Sequence, residues 1–268
     1  MTAADVPIRV TAGATDSVVA PLGVREVIEA GLFVGPVGFD IGVPETVSVL
    51  GDLERTSASR TLVIVSPTSG APAHGLAGRW ADLAFALRVP PRAHAGGLAD
   101  LSRTVEESLE AMGLDRFDVL ILDGVDPFDH PASVADRTLA ILAAGTAGAL
   151  GLVGYTEAQV RALCAHLPAE LHLALLGVEL DDVSSSSLQQ GALDLALELG
   201  TIPFVELHGE LKLPGAGSVD PDAVSVLLHH PSRPVVIVGH DDLAGRAIAA
   251  ESLLQRLDRS TIRKLLDA

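Results

Sequence analysis

Residues 105–122 read Val105-Glu106-Glu107-Ser108-Leu109-Glu110-Ala111-Met112-Gly113-Leu114-Asp115-Arg116-Phe117-Asp118-Val119-Leu120-Ile121-Leu122. The first part closes a segment of helical period that begins near Leu98. The last part, Phe117–Leu122, is an almost unbroken apolar run, as expected of a strand whose two faces are both covered. A helix feeding a doubly covered strand is one step of an alternating α/β chain with a parallel sheet.

The same alternation extends in both directions. Strand-like runs stand at Ile8–Thr11, Val37–Ile41, Thr61–Ser66, Phe117–Leu122, Ala149–Val153, His172–Val178, Ile202–Glu206 and Pro234–Val238. Helix candidates lie near Leu22–Ala30, Glu45–Arg55, Leu98–Met112, Ala132–Ala144, Glu157–His166, Leu188–Leu199, Asp220–His229 and Asp242–Ala250. Eight strand–helix pairs in roughly 250 residues predict an α/β (β/α)8 TIM barrel, with a doubly wound open sheet as the alternative. A single domain over residues 1–268 is expected. It carries a long Gly-, Pro- and Ala-rich loop at about 67–97, around Trp80, and a helical tail at about 251–268.

Composition narrows the partners. With 48% hydrophobic residues the 268-residue chain can build a sizeable core, and its net charge of −17 argues against nucleic acid or an anionic membrane as partner. A single cysteine, Cys164, excludes an internal disulfide framework and a multi-thiolate zinc site. The N-terminus has neither a basic nor an apolar leader segment, so a cytoplasmic location is expected. A small-molecule substrate is expected as partner; the oligomeric state stays open.

Several segments resemble the aldo-keto reductases. Residues 105–122 are similar to that family's Ser-Leu…Leu-Gly…Asp-Tyr…Asp-Leu segment, and Gly145–Thr156 to its Ile-Gly-Val-Ser-Asn stretch. Val178-Glu179, the run Leu199–Pro203, Val236–Gly239 and Gly31–Gly51 are similar to four further framework motifs. The resemblance implies the barrel over nearly the whole chain. For chemistry it implies a tyrosine acid with lysine and aspartate partners and a carbonyl-orienting histidine. Asp40 stands at the aspartate position, but Ile41–Glu45 carries no tyrosine where one should follow. Ser66-Pro67 stands where a lysine should close strand three, and Asp123 replaces the histidine that should end strand four. The chain has only two lysines, Lys212 and Lys264, and no asparagine.

The family's cofactor residues are replaced as well. Thr156-Glu157 stands for its Ser-Asn pair and Gly177 for its glutamine. His240-Asp241-Asp242 occupies its phosphate loop, where two carboxylates would repel phosphate; Arg246 is the remaining cation nearby. No cofactor is therefore expected, NADPH being the disfavoured alternative. No close-spaced ligand motif points to a metal.

Functional groups of such barrels sit at the C-terminal ends of the strands. Those ends carry Asp40, Ser66, Asp123, Tyr155, Thr156, Glu179, Asp181, Glu206, His208 and His240. The candidate catalytic set is Asp123, His208, His240, Asp40, Tyr155 and Glu179. Asp123, within an apolar surround of Leu122, Phe128 and Trp80, would serve as a neutral acid while His208 or His240 takes a proton elsewhere. This leads to a non-redox enzyme (isomerase, lyase, dehydratase or cyclase) acting on a small biosynthetic intermediate. The alternatives are a divergent NADPH-dependent aldo-keto reductase and a ligand- or partner-binding pseudoenzyme.

Overall fold

The computed structural model describes residues 25–27, 32–34, 37–42, 61–67, 83–90, 97–124, 130–168, 171, 173–178, 192–206, 227–228, 230, 232 and 234–239. Two three-residue strands, β1 (Arg25–Val27) and β2 (Leu32–Val34), pair antiparallel. Then come β3 (Val37–Gly42), β4 (Thr61–Val65), β5 (Leu83–Val89), α1 (Leu98–Met112), β6 (Phe117–Asp123), α2 (Pro131–Ala143) and β7 (Ala147–Val153). The series ends with α3 (Glu157–Cys164), β8 (Leu173–Gly177), α4 (Ala192–Leu199), β9 (Ile202–Glu206) and β10 (Val235–Gly239). Strands β3 to β10 follow one another in parallel, and β10 pairs back onto β3. The sheet is a closed eight-stranded barrel.

Two expectations are corrected. Arg25–Val27 is a strand of the hairpin instead of part of a helix over Leu22–Ala30. The third barrel strand is Leu83–Val89, inside the stretch read as a loop at 67–97, so Thr61–Val65 is the second barrel strand. Leu-Ala-Phe-Ala-Leu-Arg-Val alternates bulky residues with alanine, and neither alanine nor leucine marks a strand by propensity. The expected strand Ile8–Thr11, the helices Glu45–Arg55 and Asp242–Ala250 and the tail at 251–268 lie outside the described residues.

The alternation in β5 separates the two layers of the core. Leu83, Phe85 and Leu87 share one buried cluster with helix residues such as Leu101, Val105, Val134 and Val160. Ala84 and Ala86 belong to a second cluster, with Leu62, Ile64, Val119, Ile121, Val153, Ile202, Phe204 and Ile237, which among the described residues is built from strands. The first lies between strands and helices; the second fills the barrel. The bonding that holds β5 beside β6 includes a side chain, since Phe85 N–H donates to Asp118 Oδ2 at 2.9 Å. Filling the barrel also demands a missing side chain: a Cβ at Gly177 would fall 2.4 Å from Val153 Cγ2 and 3.0 Å from Phe204 Cζ. Helix α1 stops where Gly113 turns left-handed at φ 65°, and α3 starts on a capping box between Thr156 and Gln159.

Candidate active site

Successive residues of a strand point to opposite faces, so the interior rows can be followed upward. Ala84 and Ala86 lead to Arg88 in β5; Val119 and Ile121 lead to Asp123 in β6; Ile202 and Phe204 lead to Glu206 in β9. The four side chains that cap these rows and β3 meet at the C-terminal mouth. Arg88 Nε donates to Asp123 Oδ2 at 2.8 Å, Nη1 donates to Glu206 Oε1, and Asp40 Oδ2 lies 3.9 Å from Nη1. The third and seventh barrel strands face each other across an eight-stranded barrel. The Arg88–Glu206 bond therefore spans the mouth.

Burial works against the charge of Arg88, but the hydrogen bond to Asp123 and the charges of Glu206, Asp123 and Asp40 outweigh it and leave the guanidinium pKa raised. A fixed cation thus stands in the mouth at all working pH values. Glu206 is the most sheltered of its partners, with its side chain 12% exposed. Among the described residues Asp123 is bonded to Arg88 through Oδ2 alone, which leaves its Oδ1 without a donor from them. Beside it two backbones pack closely: a Cβ on Gly154 would lie 3.3 Å from Gly124 Cα and 3.8 Å from Asp123 Oδ1. Both glycines have left-handed backbones, at φ 74° and 71°.

The expected sites fare differently. Asp40 and Asp123 are brought together around Arg88. The apolar surround expected for Asp123 is corrected, because Leu122 is buried in the outer cluster while Asp123 faces a guanidinium; Phe128 and Trp80 lie outside the described residues. Tyr155 follows the turn at Gly154 and packs, partly buried, against the outer cluster. Thr156 engages Gln159 through both its hydroxyl and its backbone N–H. Glu179, His208 and His240 lie outside the described residues. Arg88 and Glu206 were missed as site residues. Arg88 was hidden in the supposed loop, and Glu206 could have been found by following Ile202 and Phe204 up their strand. Among the described residues, no group of three His, Cys, Asp or Glu side chains is arranged to hold a metal ion, and no helix is long and apolar enough to cross a membrane.

No family model and no curated protein matches the sequence. Solved structures do match the fold. A thermostable aldo-keto reductase in complex with the inhibitor epalrestat superposes with a TM-score of 0.71 at 12% identity, over 91% of this chain and 98% of its own. The chain has the aldo-keto reductase fold. An aldo-keto reductase complexed with NADPH matches with a TM-score of 0.69 at 13% identity, over 92% of this chain and 88% of that one. An aldo/keto reductase from Klebsiella pneumoniae, in complex with NADP and acetate, matches with a TM-score of 0.63 at 15% identity, over 88% and 91%. These two complexes correct the expectation of a cofactor-free protein, because barrels of this architecture were solved with the dinucleotide in place. The barrel numbering also corrects the reading of a missing cation in the catalytic set. Strand three closes on Arg88 rather than on Ser66-Pro67, so a cation does stand where the resemblance puts the lysine.

Proposed function

We propose that this protein is a nicotinamide-dependent oxidoreductase of the aldo-keto reductase kind, reducing a small carbonyl compound or oxidising the corresponding alcohol. The observation that carries the reading is Arg88, a permanently charged donor at the end of the third barrel strand, held in place by carboxylates of three other strands. The dinucleotide-bound structures of the same fold support it.

Asp123 Oδ1, which accepts no hydrogen bond from any described residue, can accept from the carboxamide N–H of a nicotinamide ring, so Asp123 would help to hold it. When bound, the reduced ring supplies a hydride to the carbonyl carbon. This chain's part is electrostatic. As the carbonyl π pair moves onto oxygen, charge grows there, and Arg88 stabilises it through an N–H already fixed in direction. An arginine cannot give up its proton at ordinary pH, so it polarises and does not protonate. The alkoxide needs a proton from elsewhere. His208 and His240, just past the ends of β9 and β10 in sequence, are assigned that role. Asp123 and Glu206 are positioning residues that act through Arg88.

The test is NADPH oxidation followed at 340 nm with a panel of small aldehydes and ketones. The wild type is expected to turn over at least one class of carbonyl, and Arg88→Met to lower kcat/KM by about 10²–10³-fold, the range for losing one preorganised oxyanion donor. Turnover unaffected by Arg88→Met would overturn the proposal.

A further inference from the structure

Arg88 is more constrained than a substrate-binding arginine usually is. A guanidinium offers two edges on which a carboxylate or phosphate can be held by two parallel bonds: one uses Nη1 with Nη2, the other Nε with Nη2. In this mouth both edges are half taken. Nε donates to Asp123 Oδ2 at 2.8 Å, and Nη1 donates to Glu206 Oε1. Only Nη2 is without a partner among the described residues. Nη2 can donate to a carbonyl oxygen, but the nitrogen beside it at each edge is already bonded, so a two-bond fork would compete with Asp123 or Glu206.

We infer that the mouth selects a neutral carbonyl oxygen and rejects oxo-acids and phosphorylated carbonyl compounds at this position. The inference rests on the reductase reading for the substrate's chemistry, but the occupied edges are a property of the folded protein. A carbonyl oxygen asks for one donor, which Nη2 supplies. A carboxylate arriving at the same point gains only one of its two bonds and is brought among the carboxylates of Asp40, Asp123 and Glu206. It would have to displace Glu206 or Asp123 to gain the second. Glu206 and Asp123 are therefore specificity-determining as well as positioning residues: they fill the edges an anionic substrate would need.

The experiment has two arms. In the first, kcat/KM is compared for pyruvate, a ketone beside a carboxylate, and for two neutral compounds, the ketone acetone and the aldehyde propanal. The wild type should favour the neutral compounds by at least tenfold, and Glu206→Ala, which frees the Nη1–Nη2 edge, should shrink that preference at least tenfold. A wild type that prefers pyruvate, or a preference unchanged in Glu206→Ala, overturns the inference. The second arm needs no turnover. Sodium acetate is titrated into the full-length protein by calorimetry, using wild type, Glu206→Ala and Glu206→Gln. Acetate should bind Glu206→Ala at least tenfold more tightly than the wild type. Glu206→Gln, which loses the negative charge but keeps an amide oxygen on Nη1, should gain less than Glu206→Ala. Equal acetate binding by wild type and Glu206→Ala overturns the inference. If no carbonyl compound is reduced yet acetate discriminates as expected, the reductase reading falls while the occupied-edge inference stands. Should Glu206→Ala fail to fold, Asp123→Ala opens the Nε–Nη2 edge and takes its place in both arms.

Discussion

Replacing Arg88 by Met keeps much of the side chain's length and removes its charge, leaving Asp40, Asp123 and Glu206 facing one another. Two of these carboxylates are hydrogen-bonded to the guanidinium, and the third lies 3.9 Å away. At an effective dielectric of about 20, each close pair is attracted by roughly 4 kcal/mol. Most of that sum is offset by the cost of taking the charges out of water. The side chains are 20% exposed at Arg88, 12% at Glu206 and 33% at Asp123, so hydration is only partly lost. The loss should therefore fall below the roughly 3–5 kcal/mol for breaking a fully buried pair, at about 2–3 kcal/mol. Urea unfolding followed by circular dichroism at pH 7 measures it directly. A variant as stable as the wild type at pH 7 would refute the reasoning.

Other expectations concern the rest of the barrel. Gly177→Ala puts a methyl 2.4 Å from Val153 Cγ2, and the overpacked interior should lose about 1–3 kcal/mol in the same urea assay. Burial holds the His230 imidazole below its ordinary pKa, against the opposing charge of Asp194, while its Nδ1 accepts from Ser232 N–H at 3.2 Å. The folded protein keeps it neutral where the unfolded chain would protonate it. Its contribution is thus complete above the unfolded value of 6.5 and fades as the pH falls below it. His230→Gln should flatten that part of a stability–pH curve. Burial also pushes the Cys164 thiol up, against the charge of Arg161, so iodoacetamide should label the native protein slowly at pH 7 and rapidly in urea.

What the sequence disclosed followed from how its strands are covered. Phe117–Asp123 and Ile202–Glu206 are buried on both faces and rich in Val, Ile, Leu and Phe, so they stand out from their surroundings. Leu83–Val89 is equally buried, but its inward positions are Ala84 and Ala86, because the tightly filled interior there admits small side chains. Alanine at the inward positions removes the β-branched signal on which strand recognition depends. The cost was larger than one strand. Once β5 was read as loop, the barrel numbering shifted, strand three was taken to end at Ser66, and the cation of the mouth was missed. Asp40 and Asp123 could be found as strand-end acids, but their state could not. Whether a carboxylate is a neutral acid or half of an ion pair depends on a partner 35 residues away in the chain, and only the closed barrel brings Arg88 to Asp123.

Titration of NADPH into the full-length protein, by calorimetry at pH 7, tests most directly whether this barrel uses a nicotinamide dinucleotide. A saturable one-to-one isotherm with a dissociation constant in the micromolar range is expected. Heats that stay at the level of dilution up to millimolar NADPH and NADH would contradict the oxidoreductase assignment.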